Sequence, residues 1–351
     1  MRCDIVIPVW NQRLVTEECV DSLLKNTGGD WRLIIVDNGS ADETRAYLGH
    51  LARSEPSRVL VVRNDRNLGF IRAVNRGIAL SDAPFVCLLN NDTIVTGGWL
   101  DEMLSVLTSE PDIGIVNPSS NNLGQKPAGG EPIEHYARTL AKERGAYVEL
   151  GSAVGFCMLM RRALLDRIGS FDEAYGMGNF EDTDLSRRAV RAGYRCVRSC
   201  GAYVYHRESA SFKKVKSFNA DFERNRRLYE SRWGVPRRVA CILDSGDAGG
   251  VARLNEESLR LARDGNWVWY FLRAPLEVPA HSNIRVVRLP ARWFWLFALA
   301  AILKKKKRFS EISVRTTKAA GWLKCFRFVH GAEVKALAEF QGHKSQQRAN
   351  G

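Results

Sequence analysis

The sequence of 351 residues predicts an α/β fold, with a mostly parallel, helix-covered sheet in residues 1–235 and a smaller α/β domain in residues 236–351. Short apolar runs typical of buried strands alternate with stretches of helical spacing, which indicates parallel strands joined by helices. Polar residues directly follow the first four apolar runs. After Trp233-Gly234-Val235-Pro236 the alternation begins again, which favours a second domain.

The first domain is predicted to begin with four strands in succession. An apolar run that stops at a proline or a polar turn is typical of a buried strand, and acidic residues in a first turn favour a helix start. The predicted strands are 4–9, 31–36, 59–62 and 85–89, and the predicted helices are 16–25, a stretch through Tyr47 and Leu51, and one that carries Arg72, Asn75 and Arg76.

Four polar residues, Asn11, Asp37, Asn67 and Asp92, each follow one of these strands. Ligands bind beyond the carboxyl ends of parallel strands, so these side chains are the first candidates for a site. Asn and Asp also form turns by themselves, and any single one of the four is explained equally well by that role. The first turn has no Gly-x-Gly-x-x-Gly pattern, which argues against a nicotinamide dehydrogenase.

Composition narrows the partners and the compartment. A formal net charge of +13 favours attraction to polyanions, anionic lipids or phosphorylated substrates. No zinc-finger, helix-turn-helix or aromatic RNA-binding motif accompanies the charge, so the sequence predicts no nucleic-acid partner. Most of the eight cysteines lie in apolar runs, and no apolar run reaches about 18 residues. We therefore expect a cytoplasmic protein with reduced thiols and no spanning helix.

Three carboxylates stand at the start of a predicted helix: Glu181, Asp182 and Asp184. Unpaired N–H groups and the helix dipole stabilise an anion at this position, so Asp182 is suited to act as a general base. Helix capping is the simpler interpretation of the stretch by itself, because Asp and Glu favour first turns. The stretch alone leaves both interpretations open.

Several short motifs, taken in order, resemble the inverting nucleotide-sugar glycosyltransferases of family 2, which have the GT-A fold. Each motif is weak alone, and their order and spacing carry the resemblance over residues 1–235. The motifs are Ile5-Val6-Ile7-Pro8-Val9-Trp10-Asn11, Val36-Asp37-Asn38-Gly39-Ser40, Asn67-Leu68-Gly69-Phe70 followed by Asn75, Leu89-Asn90-Asn91-Asp92, residues 155–161, Glu181-Asp182-Thr183-Asp184-Leu185 and Tyr205-His206.

The resemblance implies a binding site for the nucleotide of the donor. The family's Asp-x-Asp motif falls at Asn90-Asn91-Asp92, where Asn replaces the first Asp, and an amide can still bond a ribose hydroxyl or a metal-bound water. The donor-binding residues implied by the resemblance are Pro8, Val9, Asn11, Asp37, Asn67, Gly69, Asn75, Asn90 and Asn91.

The resemblance also implies a divalent metal ion, Mg²⁺ or Mn²⁺, held by Asp92 and His206. Such an ion neutralises the charge that develops on the departing diphosphate. Without the resemblance, a lone histidine after a strand would more often be structural. Asp182 matches the family's catalytic base, with Glu181 and Asp184 expected to support it and Gly155 expected to permit close approach of the sugar or acceptor.

The function expected from this resemblance is inverting transfer of a hexose or deoxyhexose from a nucleoside-diphosphate sugar. The acceptor would be a hydroxyl of a glycan, a lipid-linked glycan or a protein, in cell-surface polysaccharide synthesis. Because Asn90 departs from the family motif, a catalytically weak sugar-nucleotide-binding or scaffold protein is the alternative. A nucleotidyltransferase agrees less well, because it needs no base at the position of Asp182.

Residues 236–351 are predicted to form a Rossmann-like domain, with strands at 238–243, 267–272 and 284–289, a glycine-rich turn at 246–250 and a helix at 251–263. The strings Gly249-Gly250-Val251 and Val329-His330-Gly331-Ala332-Glu333 resemble the N-terminal half of a family 4 glycosyltransferase with the GT-B fold. The nucleotide site of that family lies in a second lobe. We therefore expect no second activity, and either a truncated bifunctional enzyme or a docking module.

An apolar stretch at 293–303 is followed by the basic run 304–308. The stretch is too short to span a bilayer, so it is expected to form either a buried helix or a peripheral contact with a lipid surface through 293–308.

Overall fold

The computed structural model describes residues 1–207, 218–244, 248–314 and 316–336. The chain forms two compact units, Met1–Gly234 and Val235–Gly351, and each contains its own sheet. Residues 246 and 247 of the predicted glycine-rich turn and residues 337–351 of the predicted second domain lie outside the described residues.

The first unit alternates strands and helices along most of its length. Its strands are β1 (Cys3–Val9), β2 (Trp31–Asp37), β3 (Val59–Arg63), β4 (Phe85–Leu89), β5 (Thr93–Val95), β6 (Ile113–Ser119), β7 (Tyr147–Leu150), β8 (Cys157–Arg161) and β9 (Arg195–His206). Its helices are α1 (Arg13–Asn26), α2 (Thr44–Ser54), α3 (Phe70–Ala79), α4 (Trp99–Ser109), α5 (Ile133–Leu140), α6 (Arg162–Ile168), α7 (Glu181–Arg191) and α8 (Phe218–Trp233).

The described strands of this unit form one sheet in the order β3-β2-β1-β4-β8-β6-β9-β5, with β7 paired to β9. The pairings of β1 with β2 and β4, and of β2 with β3, are all parallel. The carboxyl ends of these four strands therefore meet at one edge. Beyond β4 the sheet is mixed, because β8 runs antiparallel to β4 and β6, and β9 runs antiparallel to β5 and β7.

The four predicted strands at the start of the chain are confirmed. The first helix begins at Arg13, earlier than its acidic residues suggested, because Asn11 and Gln12 adopt left-handed φ angles of 56° and 62° and turn the chain directly after β1. The apolar pattern did not reveal β5, a strand of three residues whose partner β9 lies about a hundred residues along the chain.

Both faces of the sheet are buried. Ile5 and Ile7 of β1 lie in a core cluster with Trp99 of α4, whereas Val6 lies in a second cluster with Val74 of α3. Alternate residues of a strand point to opposite faces, so a continuous apolar run such as β1 fits a sheet with helices on both sides.

Helix α3 approaches the sheet closely at Gly77. A Cβ at this position would lie 2.3 Å from Cγ1 of Val6 and 3.2 Å from Cγ2 of Val36. Both valines are buried and branched at Cβ, so neither moves aside easily. The absence of a side chain at Gly77 thus sets the distance between α3 and the strands whose ends border the site.

The second unit contains the strands β10 (Arg238–Leu243), β11 (Trp267–Leu272), β12 (Ile284–Arg288), β13 (Glu311–Val314) and β14 (Glu333–Ala336) and the helices α9 (Ala248–Arg263), α10 (Phe294–Leu303), α11 (Thr317–Cys325) and α12 (Arg327–His330). Its sheet has the order β12-β11-β10-β13-β14, and every described pairing in it is parallel. Across the described parts of both sheets, eight of twelve strand pairings are parallel, so the predicted mostly parallel α/β class is confirmed.

Helix α10 contains the apolar stretch that the sequence left between two interpretations. Phe294, Ala298 and Ile302 are buried in the core of the second unit, while Leu296 and Phe297 are exposed. One face of the helix therefore packs in the core and the other is open. None of the helices that the structure describes has both the length and the apolar character of a membrane span.

Candidate functional site

The loops that follow β1, β2 and β3 are tied together at the carboxyl edge of the sheet. The Asn11 N–H donates to Oγ of Ser40 (2.9 Å), and its Oδ1 accepts from the Ala41 N–H (2.8 Å). The Asn38 N–H donates to the Val9 carbonyl (2.7 Å). Pro8 and Val9 are paired in register with Val36 and Asp37, so the first group of predicted donor-binding residues lies together.

Asp37 is 2% exposed, and both of its carboxylate oxygens have partners. Oδ1 accepts from the Ser40 N–H (2.9 Å), and Oδ2 forms an ion pair with Arg63 of β3. Arg63 also donates to the Ser40 carbonyl (2.8 Å). Arg63 was not predicted from the sequence, although it occupies the last position of its strand and pairs in register with Asp37. Asp37 therefore helps to hold the turn that follows β2.

Asn67 and Gly69 shape the start of α3. Oδ1 of Asn67 accepts from the Gly69 N–H (2.9 Å) and from Nδ2 of Asn38 (2.8 Å). Gly69 has a φ of 90°, and a Cβ on it would lie 3.0 Å from Sδ of Met177. A positive φ and a close neighbour both favour glycine at this position.

Asn75 is committed to another contact. Its Nδ2 donates to the Phe171 carbonyl (2.8 Å), and its Oδ1 accepts from the Phe171 N–H (3.1 Å). The amide thus joins α3 to the segment before Glu173. Both ends of the amide already have partners within the protein, and the nucleotide contact of Asn75 stays a prediction.

The three residues after β4 have three different environments. The Asn90 N–H donates to the Phe156 carbonyl (2.8 Å), but its Oδ1 is buried without a hydrogen-bond partner. Nδ2 of Asn91 donates to Oγ1 of Thr16 on α1 (2.9 Å). Asp92, by contrast, contacts His206, which is far from it in the sequence. Of the two asparagines, Asn90 is the one with a buried acceptor that has no partner.

Asp92 and His206 lie side by side, with 3.1 Å between Oδ1 of Asp92 and Nε2 of His206. The antiparallel pairing of β5 with β9 brings them together, since Thr93 is in register with His206. The His206 ring stacks on Phe156, with ring centres 5.1 Å apart and an interplanar angle of 17°. His206 is also held by two consecutive residues that were not predicted from the sequence. Oδ1 of Asn121 accepts from the His206 N–H (2.8 Å), and Nδ2 of Asn122 lies 3.0 Å from Nδ1 of the ring.

A carboxylate and an imidazole are both ligands that can bind a divalent metal ion, and the imidazole favours Mn²⁺ over Mg²⁺. Oδ1 of Asn122 is buried without a hydrogen-bond partner. Turning this amide over would let Oδ1 accept a hydrogen bond from the Nδ1–H group, which leaves Nε2 free to bind a metal ion. Within the described ranges, no group of three or more His, Cys, Asp or Glu side chains could hold a metal ion. Two protein donors suit an ion whose other ligands are waters and phosphate oxygens.

Asp182 stands in the first turn of α7, where its carboxylate accepts several hydrogen bonds. Oδ2 accepts from the Gly155 N–H (3.1 Å), and Oδ1 accepts from the Thr183 N–H (2.7 Å) and Oγ1 (3.2 Å). Burial raises the pKa of the Asp182 carboxyl, and these donors act in the opposite direction by stabilising the anion. The capping and base interpretations are therefore compatible, because the groups that satisfy a helix start also hold the carboxylate.

Gly155 contributes an N–H group to the site, and no atom of the described residues crowds its Cα. A Cβ there would lie 3.6 Å from Cβ of Asp182, which is an ordinary van der Waals distance. In the structure its N–H donates to Asp182, and the close approach of a sugar or acceptor to Gly155 stays a prediction.

Glu181 and Asp184 differ from Asp182 and from each other. Glu181 is buried, and its Oε2 has no hydrogen-bond partner. Burial and, after it, the charge of Asp182 raise the pKa of Glu181 to about 8. Asp184 accepts from Nε1 of Trp233 (2.9 Å) and from Nε of Arg188 (2.8 Å). Asp184 thus anchors α7 within the unit.

A cavity of about 380 Å³ joins several of these residues. It contains Asn90 from the end of β4, His206 from the end of β9, and the Glu181–Asp182 pair from α7. Aromatic side chains form much of its wall. The complete lining is Phe70, Asn90, Val154, Gly155, Phe156, Gly178, Asn179, Phe180, Glu181, Asp182, Thr183, His206 and Phe222. The predicted site residues that do not line it are Pro8, Val9, Asn11, Asp37, Asn67, Gly69, Asn75, Asn91, Asp92 and Asp184.

The first unit is similar in sequence to a known protein family and to several known proteins. Residues 4–169 match the family profile described as Glycosyl transferase family 2. The chain is 28% identical over 241 residues to the succinoglycan biosynthesis protein ExoU of Rhizobium meliloti, which covers 65% of this chain and 67% of that protein. It is 35% identical over 88 residues to a PGL/p-HBAD biosynthesis glycosyltransferase of Mycobacterium tuberculosis, covering 25% and 34% of the two chains.

A third relative, the uncharacterized protein y4gI of Sinorhizobium fredii, is 31% identical over 252 residues, or 65% of this chain. The match covers only 27% of y4gI, and the mycobacterial match about a third of that protein. The chain therefore spans only a part of these two relatives.

Two solved structures share the fold. GalNAc-T7 with UDP, GalNAc and Mn²⁺ matches with a TM-score of 0.54 at 14% identity, covering 73% of this chain and 54% of that one. Residues 1–349 of S. aureus TarS in complex with UDP-GlcNAc match with a TM-score of 0.50 at 17% identity, covering 66% of each chain. The predicted GT-A fold is confirmed by these similarities, which at such low identity concern the fold alone.

Proposed function

Because residues 4–169 match family 2 of the glycosyl transferases, we propose that the first unit transfers a sugar from a nucleoside-diphosphate sugar to an acceptor hydroxyl with inversion. The acceptor would be a glycan, a lipid-linked glycan or a protein. The similarity to ExoU, a protein named for succinoglycan biosynthesis, supports a role in making a cell-surface polysaccharide.

The observation that carries this proposal is the cavity that contains both Asp182 and His206. Asp182 comes from the start of α7 and His206 from the end of β9, next to Asp92. The first is suited to take a proton from an acceptor, and the second to bind the donor side through a metal ion. Their presence at one cavity supports a single site in which the acceptor oxygen and the donor phosphate meet.

In the proposed reaction Asp182 removes the proton of the acceptor hydroxyl as that oxygen attacks the anomeric carbon. The bond from this carbon to the diphosphate oxygen breaks in the same step, so the configuration inverts. The N–H groups of Gly155 and Thr183 hold the carboxylate in place as the acceptor approaches. Only one carboxylate needs to react, unlike the pair that glycoside hydrolases use.

Asp92 and His206 would hold the divalent metal ion, with Asn122 orienting the imidazole. When bound, the ion neutralises negative charge on the departing diphosphate. The buried, unpartnered Oδ1 of Asn90 adds an acceptor that suits a ribose hydroxyl of the donor. The nucleotide would bind on the neighbouring edge of the sheet, which carries Pro8, Val9, Asn11, Asp37, Asn67, Gly69 and Asn91.

The direct test is Asp182→Asn. This variant keeps the shape of the side chain but cannot accept the proton, so we expect transfer to fall at least about a hundredfold, as for loss of a general base. Calorimetric titration with a nucleoside diphosphate and Mn²⁺ should give the affinity of the parent protein. Asp166→Asn, which changes an exposed carboxylate on α6, is the matched control. Undiminished turnover in Asp182→Asn would remove Asp182 from the mechanism.

One observation favours a second function, a catalytically weak protein that binds sugar nucleotides. Asn90 stands where the family motif has a carboxylate, which lowers the negative charge available to a metal ion. Hydrolysis of donor sugars in the presence of Mn²⁺ separates the two functions, because a binding protein releases no nucleoside diphosphate. A panel of sugar nucleotides screened by thermal shift, with and without Mn²⁺, identifies the donor in either case.

The second unit is proposed as an accessory domain without a separate transfer activity. Its parallel five-stranded sheet agrees with a Rossmann-like fold. The resemblance of its short strings to the N-terminal half of a family 4 glycosyltransferase remains a prediction.

A further inference from the structure

The second unit has an exposed apolar surface, defined here as the α10–α12 surface. Phe328 is 84% exposed, Trp293 is 64% exposed and Leu296 is 61% exposed. Exposed single apolar residues are ordinary, but a cluster of large aromatic side chains on adjacent helices is not. The surface consists of Trp293, Leu296, Phe297, Leu303, Trp322 and Phe328.

The helical spacing of α10 explains why this surface is open. Residues seven apart lie two turns apart on one face of a helix, so Leu296 and Leu303 share a face of α10, and Phe297 and Trp293, which precedes the helix, are exposed as well. Phe294 and Ala298 lie on the opposite side, in the core. One face of α10 therefore packs in the core of the second unit, and the exposed apolar residues make no contribution to that core.

Contacts between the helices make the surface continuous. The rings of Trp295 on α10 and Trp322 on α11 have centres 6.1 Å apart, and Trp322 lies 5.0 Å from Phe326 at the start of α12. Nη1 of Arg308 lies 3.6 Å from the position that a Cβ of Gly331 would take. The basic run that follows α10 is thus next to the end of α12.

Basic residues predominate in the stretch of the chain that carries the α10–α12 surface. Residues 278–332 contain twelve Lys and Arg residues and one acidic residue, Glu311. Glu311 is buried and forms an ion pair with Lys335 (2.8 Å), so it does not offset the exposed charge. The exposed basic residues of this region include Arg292, Lys304, Lys306, Lys307, Lys324 and Arg327.

We propose that the α10–α12 surface docks on an anionic lipid bilayer. Trp and Phe side chains enter the boundary between headgroups and acyl chains, and the long stems of Lys and Arg let their charges reach lipid phosphates. A second copy of this chain is a poor occupant, because two such surfaces would bring like charges together. The proposal concerns the second unit alone and does not depend on the reaction proposed for the first.

The test is co-sedimentation of the full chain with vesicles of phosphatidylcholine, with and without phosphatidylglycerol. We expect enrichment on the anionic vesicles that falls as salt rises. Lys304→Gln/Lys306→Gln/Lys307→Gln should weaken binding roughly a hundredfold, since each lysine at an anionic surface is worth about fivefold. Leu296→Ser/Phe297→Ser/Phe328→Ser should weaken it at least about tenfold, through lost apolar contact. All of these side chains are exposed, so the fold is expected to persist, which circular dichroism checks.

Matched controls change similar side chains elsewhere. Leu14→Ser/Val235→Ser removes two other exposed apolar residues, and Lys25→Gln/Lys142→Gln removes two other exposed lysines. Neither control should lower vesicle binding by more than about twofold. Absence of enrichment of the parent protein on anionic vesicles at low salt overturns the proposal. So does binding that the surface variants leave unchanged.

Two further outcomes would assign the surface to another occupant. Sedimentation velocity that shows self-association, abolished by the triple serine variant, would point to a second copy of the chain. Tighter binding to a single-stranded oligonucleotide than to anionic vesicles, lost in the same variant, would point to a nucleic acid. Either result overturns docking on lipid.

Discussion

Glu181 and Asp182 are adjacent carboxylates that differ in their hydrogen-bond partners. The Asp182 carboxylate accepts hydrogen bonds from the N–H groups of Gly155 and Thr183, which stabilise its anion. Oε2 of Glu181 is buried without a partner, and burial raises the pKa of this side chain to about 8. Burial thus favours retention of a proton by Glu181, whereas at Asp182, whose pKa burial also raises, the N–H donors act in favour of the anion.

This arrangement predicts a stability that depends on pH. Between the ordinary pKa of a glutamate, about 4.3, and the raised value, the folded protein holds a proton that the unfolded chain has lost. The free energy of unfolding should therefore decrease as pH rises through this range. Glu181→Gln cannot titrate, so its thermal unfolding should change less between about pH 5 and about pH 9 than that of the parent protein.

The control for this prediction is Glu256→Gln, which changes an exposed glutamate on α9. It should keep the pH dependence of the parent protein. If Glu181→Gln also kept it, the proton would not reside on Glu181.

Asn122 offers a second test at the scale of single residues. It lies 3.0 Å from Nδ1 of His206, on the side of the ring opposite to the proposed metal-binding nitrogen. Asn122→Ala should weaken Mn²⁺ binding about 10- to 100-fold in the presence of a nucleoside diphosphate, because the imidazole loses its orienting partner. Calorimetric titration measures this affinity, and Asn255→Ala on α9 is the control. Equal Mn²⁺ affinity in both variants would contradict the positioning role.

At the scale of secondary-structure elements, two helices among the described residues of the first unit start after non-glycine residues with strained backbone. Asn11 and Gln12 precede α1, and Asn179 and Phe180 precede α7, all with positive φ angles. A left-handed residue other than glycine costs roughly 1–2 kcal/mol. Both turns border the proposed site, which is where proteins tend to retain such strain. The turn before α7 determines which residues stand in its first turn, and hence the position of Asp182.

Gly77 gives a prediction about how α3 packs on the sheet. Gly77→Ala should lower the free energy of unfolding by about 1–3 kcal/mol, because its Cβ would overlap Val6. Gly49→Ala on α2 is the matched control, since a Cβ there would lie 3.6 Å from the flexible end of Arg53. That variant should be more stable by about 0.5–1 kcal/mol, through helix propensity. Chemical denaturation compares the two, and equal effects would refute the packing argument.

At the scale of the whole molecule, the two units are proposed to have separate tasks. The first unit carries the residues predicted to bind the sugar-nucleotide donor and to catalyse transfer, and the second unit carries the α10–α12 surface. Hydrogen exchange with a nucleoside diphosphate and Mn²⁺ should therefore protect peptides that contain Asp37, Asp92 or His206. Peptides from β10 to β14 should exchange at unchanged rates. Protection near the glycine-rich turn of the second unit would instead indicate a second nucleotide site.

The sequence alone was sufficient for much of the fold of the first unit. The four strands at its start are confirmed because each is a short apolar run ended by turn-forming residues, a pattern set by local interactions. The antiparallel strands β5 and β7 were not recognised, because three- and four-residue strands carry too little periodicity. Helix α10 shows the same limit, since its composition was apolar throughout and only packing separated its buried face from its exposed one.

By itself, the sequence determined the order of the early elements and the motifs that point to Asp182, Asp92 and His206, because these depend on neighbouring residues. Only the tertiary structure decided which side chains meet. It joined Asp37 to Arg63, Asn75 to Phe171, and Asp92 to His206. Partners so far apart in the chain are brought together by sheet register and helix packing. No local pattern records those contacts, because burial and hydrogen bonding select them only once the whole unit has folded.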